Sequence, residues 1–257
     1  MNEAADSARL TALARARLYS YLAACFRYPD VDAWQELTSQ DARSTLAFAC
    51  ALLAERAPYE ALRLHCGGLP LRGIQDLESL SLHHEAVFGH TVSKQCPPYE
   101  TEYTNMHLFQ QSDYLADLAG FYRAFGVEVK AGTERLDHLA IQLEFLHLAA
   151  FKEAHALERG DAEGADVCRE AQASFIEDHL GRWAGIFANR LERRDGEGPY
   201  AAAARLLRDF MAAEQQVLAA ASAPIADVTR GELLPMAADE WDASDWQTAG
   251  DNAPAPL

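Results

Sequence analysis

An all-α fold is predicted for this 257-residue chain, from three observations. The hydrophobic residues, 49% of the total, are mostly Ala and Leu, which favour helix. Apolar residues recur at spacings of three and four through most of the sequence, the mark of helices with one buried face. Gly, Pro and Asp punctuate these runs where helices end or begin, and no two segments share the period-two alternation of paired strands. The length is enough to bury one core. The expected architecture is a single-domain bundle of about eight or more helices over 1–222, followed by an acidic, mostly disordered tail over 223–257.

The elements follow in order. Leu10, Leu13, Leu18, Tyr21, Leu22, Cys25 and Phe26 mark one face of a helix over 7–27. Tyr28-Pro29 ends it, because proline disfavours helical geometry in the preceding residue. Asp30 or Asp32 then caps a short helix carrying Trp34. A longer helix runs over 41–57, with Leu46, Ala49, Leu52 and Leu53 inward, before the break at Gly67-Gly68-Leu69-Pro70. Residues 77–88 read as helix with Gly89 as a C-terminal stop. Residues 90–111 are the least helical, since Pro97 and Pro98 forbid a continuous helix there. Helical periodicity resumes over 113–125 and ends at Gly126. A strong helix over 137–157 follows, then a turn at Gly160-Asp161, and two long helices over 163–191 and 199–221. After Ser222 the periodicity is lost. Asp227, Glu232, Asp239, Glu240, Asp242, Asp245 and Asp251 face a single Arg230, and Trp241 and Trp246 interrupt the acid.

The net charge is −17, and lysine occurs only at 94, 130 and 152. Nucleic acid and anionic membrane surfaces are poor partners for such a chain. A basic polypeptide suits it through complementary fields, while solubility alone would also be served by the acid. The five cysteines (25, 50, 66, 96 and 168) form no CxxC pair. Cys25 and Cys50 sit in apolar runs and pack as small hydrophobes, so reduced thiols in a cytoplasmic protein are expected. The N-terminal stretch lacks the apolar core of a secretory signal, and no apolar run is long enough to cross a membrane.

Chemistry-bearing motifs are sparse. Glu144 and His147 form an ExxH pair on one helix face, but a di-iron bundle needs a second such pair and two further glutamates. His83, His84 and His90 form a local cluster, although adjacent helical residues diverge by about 100°. Cys66 beside His65, or Cys96 with the distant His138, has no orienting third group at a recognisable spacing. No phosphate-binding loop or HExxH occurs. A non-enzyme is expected, with no cofactor of its own and no metal. A metal-dependent helical oxidoreductase using Glu144 and His147, and a general acidic adaptor working through Trp241 and Trp246, are the alternatives.

Two segments stand apart. Cys96-Pro97-Pro98-Tyr99-Glu100-Thr101-Glu102-Tyr103 is stiffened by two prolines. If extended, it places Tyr99, Thr101 and Tyr103 on one side and Glu100 and Glu102 on the other. That arrangement fits contact with an amphipathic basic peptide, or equally an anchor for a crossover loop. In Glu134-Arg135-Leu136-Asp137-His138-Leu139, Asp137 is placed as an N-cap. His138 then falls in the first turn, where the helix dipole favours a neutral imidazole.

In this order on a helical chain, the two segments resemble the TorD/DmsD/NarJ superfamily of molybdoenzyme assembly chaperones. Residues 96–103 are similar to that family's proline-aromatic loop. Residues 134–139 are similar to its E-x-P-D-H-[LI] signature, with Leu136 where proline is usual. Arg17-Leu18-Tyr19-Ser20-Tyr21-Leu22-Ala23-Ala24-Cys25-Phe26-Arg27-Tyr28-Pro29 is similar to its opening helix. The resemblance covers about 9–220, and the acidic tail has no counterpart in it. The loop resembles the branch serving periplasmic nitrate, selenate, chlorate, dimethyl sulfide or ethylbenzene oxidoreductases more than it resembles DmsD.

The resemblance implies a cytoplasmic, system-specific chaperone, monomeric or homodimeric. Its implied partner is the immature catalytic subunit of a molybdenum oxidoreductase, bound near its twin-arginine leader. The chaperone would assist insertion of the molybdenum cofactor before export. The expected contact residues are Tyr99, Glu100, Glu102, Tyr103, Asp137, His138 and Glu144.

Overall fold

The computed structural model describes residues 3–68, 74–89, 95–104, 108–128, 134–225 and 227. Among them are nine α-helices: α1 (Glu3–Phe26), α2 (Val31–Thr38), α3 (Gln40–Ala54), α4 (Leu77–Phe88), α5 (Leu108–Ala124), α6 (Leu139–Glu158), α7 (Ala162–Phe175), α8 (Gly181–Asp195) and α9 (Pro199–Val217). Two short 3-10 turns, Glu60–His65 and Glu100–Glu102, and one π-helical turn, Ile176–Leu180, complete the order. The all-α expectation holds, and no strand is present among the described residues.

Local signals act much as read. Asp30 accepts from the Ala33 N–H at 2.7 Å and starts α2. Ser39 starts α3, Asp161 accepts from Gly164 at 2.9 Å to start α7, and Pro199 occupies the first turn of α9. Gly89 ends α4 with φ +77°, a conformation glycine adopts without strain. Several boundaries differ: α1 begins at Glu3 rather than at residue 7, α3 ends at Ala54 rather than at 57, and α9 ends at Val217 rather than at 221. Helix α5 begins at Leu108, five residues before the expected Asp113, since neither Gly nor Pro intervenes. The single helix expected over 163–191 is instead α7 and α8 joined through the π turn. Of the 223–257 tail, Ile225 donates its N–H to the Arg182 carbonyl at 3.2 Å. Asp227 pairs with Arg190 at 2.7 Å. Residues 228–257, with Trp241 and Trp246, lie outside the described residues.

The core forms where α1 packs on α6 and α3, α6 on α7, and α8 on α9. Leu18, Tyr19, Tyr21, Leu22 and Phe26 of α1 are buried there, against Leu143, Leu146, Phe187, Leu207 and Phe210. A charged hub sits inside this apolar frame. Arg15 donates to Glu214 at 2.7 Å, to Glu153 at 2.9 Å and to Gln172 at 2.7 Å. Tyr19 and Tyr59 both donate to the Glu214 carboxylate. One guanidinium thus connects α1, α6, α7 and α9. Burial works against its charge, but Glu214 together with Tyr19 and Tyr59 more than reverses that and holds its pKa above the ordinary value.

A buried ion pair broken on one side leaves an uncompensated charge. Glu214→Gln strips Arg15 of its closest anion and should cost about 3–5 kcal/mol. Urea unfolding should show this as a lowered midpoint with an unchanged slope; a change below about 1 kcal/mol would mean the hub does not carry the core.

Candidate functional site

The two unusual segments meet. Tyr99 and His138 form an isolated antiparallel bridge. The Leu139 N–H donates to the Pro98 carbonyl at 2.8 Å, and the Glu100 N–H donates to the Asp137 carbonyl at 3.1 Å. These two bonds fix the register between loop and helix start.

The Asp137 carboxylate holds them from inside and is fully buried. It accepts from the Thr101 N–H at 3.1 Å and the Thr101 hydroxyl at 2.7 Å. Arg135 supplies Nε at 3.0 Å and Nη2 at 2.8 Å, and also donates to the Thr101 hydroxyl. Asp137 therefore does not cap α6 as expected. Its oxygens are claimed by the loop, and the cap passes to His138, whose Nδ1 accepts from the Ala140 N–H at 3.1 Å. That bond requires an unprotonated Nδ1. Burial pushes the imidazole down to about 4, against the opposing pull of Glu134 and Asp137. The neutral imidazole expected for His138 holds.

The loop itself is not extended throughout. The 3-10 turn at Glu100–Glu102 breaks the alternation, because Asp137 draws the Thr101 N–H and hydroxyl inward together. Glu100 and Tyr103 accordingly lie in the interior, while Tyr99 and Glu102 reach the surface. Glu100 accepts from the Tyr114 hydroxyl and from Gln142 at 2.5 Å, with His179 of the π turn at 3.5 Å. The Gln142 carbonyl oxygen accepts from the Trp183 indole at 3.3 Å. Tyr103 packs on Trp183, the ring centroids 5.3 Å apart. Leu136, where the resemblance wants proline, is restrained by other means: its carbonyl accepts from the Tyr122 hydroxyl at 2.7 Å, and the His138 N–H closes a turn onto the Arg135 carbonyl at 2.9 Å.

The outward side is aromatic and acidic. Tyr99 donates its hydroxyl to Glu134 at 2.8 Å. Arg135 stacks on the Tyr99 ring at 4.6 Å and reaches Glu102 at 3.5 Å. Tyr99 also meets the His138 ring edge-on at 4.9 Å. Nearby, the buried His84 is pushed down to about 4 by burial and by His138, and the half-exposed Tyr28 packs against it at 5.3 Å. Glu144, 47% exposed, lies further along α6. It borders a cleft of about 190 Å³ with Ser20, Arg27, Asp32, Glu36 and His147. Burial raises the Glu144 pKa against the pull of Arg27, 3.9 Å away.

The other motifs separate. His147 Nδ1 donates to the Ala16 carbonyl at 3.0 Å. Among the described residues no group of three or more His, Cys, Asp and Glu is placed to hold a metal. His83 pairs with Asp195 at 2.7 Å, His65 pairs with Asp209 at 2.8 Å, and Cys96 is buried. His90 lies outside the described residues. No described helix is long and apolar enough to cross a membrane.

Sequence reading missed Gln142, His179 and Trp183, whose partners are remote in sequence, and it grouped Thr101 with Tyr99 on one side of the loop, where the structure turns Thr101 onto Asp137. Arg135 stood inside the quoted segment, and its place two residues before Asp137 is the one local signal that could have found it.

The family profile described as nitrate reductase delta subunit matches residues 45–189. A chaperone protein TorD of Vibrio cholerae is 32% identical over 213 residues, 79% of this chain and 91% of the relative. The chain belongs to the TorD/NarJ family of redox-enzyme maturation chaperones. A perchlorate reductase assembly chaperone of Dechloromonas aromatica is 32% identical over 184 residues, 66% of this chain and 75% of the relative. A selenate reductase assembly chaperone of Thauera selenatis is 28% identical over 179 residues, 69% of this chain and 76% of the relative. These relatives are named as chaperones rather than enzymes, and the oxidoreductase alternative built on Glu144 and His147 is not favoured. In this chaperone the Asp137-His138 step joins the loop at Tyr99 to the start of α6.

Two outcomes test this geometry. Asp137→Ala leaves the Thr101 N–H and hydroxyl without their acceptor and should cost about 2–6 kcal/mol in urea unfolding, from about one to three for each of the two unsatisfied buried groups. A loss near the ~1 kcal/mol of a simple cap would contradict the joint. An imidazole held below its ordinary pKa adds stability above pH ~6.5, and that stability is lost as pH falls toward about 4. Asn at 138 keeps a capping acceptor without titrating, so His138→Asn should lose less stability than the native chain between pH 6.5 and 4, by about 1–3 kcal/mol. Equal pH slopes would remove His138 from the account.

Proposed function

We propose that this chain is a cytoplasmic, system-specific chaperone for the immature catalytic subunit of a molybdenum reductase, and that it engages the subunit at or near its twin-arginine leader. It holds the subunit while the molybdenum cofactor is inserted and releases it for export. Family membership supports the chaperone role. The names of the perchlorate and selenate reductase chaperones support a reductase as client.

The observation that carries the site reading is the Tyr99–His138 bridge. It fixes an aromatic surface beside Glu102 and Glu134, with Glu144 further along α6. A guanidinium pairs with carboxylates through forked, charge-assisted bonds, and an apolar leader segment finds Tyr99 and Tyr28. In this reading Tyr99, Glu102 and Glu144 touch the client. Glu100, Tyr103, Asp137 and His138, all buried, shape the surface from beneath. Nothing in the reading requires a cofactor held by the chaperone itself, and either a monomer or a homodimer serves it.

Calorimetric titration with a twin-arginine leader peptide tests this. Tyr99→Ala and Glu102→Gln should each weaken binding by about 5- to 30-fold, the 1–2 kcal/mol of a substantial interface residue. A twin-lysine peptide should bind less tightly, since lysine lacks the planar fork. Both variants binding as the native chain does would place the client elsewhere.

A further inference from the structure

The last described residues run along α8 in one direction. The Ile225 N–H donates to the Arg182 carbonyl at 3.2 Å, near the start of that helix, and Ile225 packs on the core cluster. Two residues on, Asp227 meets Arg190 at 2.7 Å and Arg193 at 4.0 Å, near its end. Arg182, Ile186, Arg190 and Arg193 stand three and four residues apart and so share one face of α8. Arg190 also donates to the Gln95 carbonyl at 3.2 Å, and Arg194 donates to the Gln95 side chain at 2.8 Å. This corner therefore adjoins the root of the loop that carries Tyr99. Arg194 further donates to the Ala86 carbonyl of α4 at 3.0 Å. Arg193 and Arg194 are exposed, and among the described residues no carboxylate pairs with Arg194. In a chain of net charge −17, the end of α8 is a cationic corner. Beside it α4 presents Leu82, 61% exposed, one turn from the exposed Ala86.

We infer that this corner is the docking surface for the chain's own acidic C-terminal segment, residues 228–257. Asp239, Glu240 and Asp242 pair with Arg193 and Arg194, and the Trp241 indole covers Leu82 and Ala86. Charge selects that occupant. The segment carries Glu232, Asp239, Glu240, Asp242, Asp245 and Asp251 against the single Arg230, and guanidinium groups bind carboxylates through charge-assisted bonds. The point of departure selects it as well. Asp227 is already held at the corner, so the segment leaves the described fold at the surface it covers, and the tether makes docking intramolecular. Length permits it. Trp241 lies fourteen residues beyond Asp227, and an extended chain spans up to about 3.3–3.6 Å per residue, whereas a single Arg194 side chain bridges α8 to α4. The acidic side of the Tyr99 surface, with Glu102 and Glu134, repels the same segment. Docking thus neutralises the cationic corner and takes an exposed leucine out of water beside the root of the loop.

Fluorine NMR of the full-length chain labelled with fluorotryptophan tests this. Each of the four tryptophans gives one resonance, assigned by Trp→Phe variants. The Trp241 resonance should stand away from its position in urea. Combining Arg193→Glu with Arg194→Glu should move it to that position, while the fully buried Trp183 keeps its native resonance and so reports an intact fold. Leu82→Ser, at an exposed position, should move it too. Adding Asp239→Lys, Glu240→Lys and Asp242→Lys to the double arginine variant should bring the native shift back. Dilution should leave the shift unchanged, because the segment docks on its own chain. A native Trp241 resonance at its urea position, one that either variant leaves in place, or one that dilution abolishes would each overturn the proposal.

Discussion

The site depends on where the Asp137 carboxylate directs its hydrogen-bonding capacity. Four donor contacts from Thr101 and Arg135 converge on two oxygens inside the protein. A buried carboxylate is tolerable only when it is so satisfied. That requirement turns the loop into a 3-10 turn, sends Glu100 inward, and moves the α6 cap one residue along to His138. It also leaves Arg135 lying across Tyr99, so the same residue that neutralises Asp137 orients the half-buried Tyr99 ring. Surface and interior are one construction.

The inward half of that construction is tied to the bundle by Glu100. Its carboxylate gathers Tyr114 of α5, Gln142 of α6 and His179 of the π turn. The π turn widens the helix by one residue per turn at that point and coincides with the place where His179 is needed. The Arg15–Glu214 hub makes a second junction further along the bundle. Both junctions are buried polar groups in an apolar frame, costly when incomplete. A rigid frame suits recognition, because a surface already in its bound form loses less entropy when a client arrives.

Much of the fold was legible because helices advertise themselves locally. Asp30, Gly89, Asp161 and Pro199 act where the sequence places them, since caps and stops involve only neighbours in the chain. What was missed is non-local. The extra residue of the π turn leaves no compositional mark, so 163–191 reads as one helix. Arg15 and Glu214 are 199 positions apart, and no window of sequence joins them. Asp137 satisfies every local rule for a cap, yet Thr101 and Arg135 draw it away from the α6 amides. Tyr99 and Tyr103 are equivalent in an extended strand, but the turn between them leaves one at the surface and buries the other on Trp183. The sequence pattern singled out two segments, and the structure brings them together; tertiary contacts decided which of their side chains face outward.

The central claim is that the surface built on the Tyr99–His138 bridge receives the client. Hydrogen exchange on the chain, free and bound to a molybdenum reductase catalytic subunit carrying its twin-arginine leader, addresses that directly. The account predicts new protection concentrated over 98–102 and 134–144, with the α9 amides unchanged. Protection confined to α7 and α9, with the loop and the start of α6 exchanging as in the free chain, would contradict it.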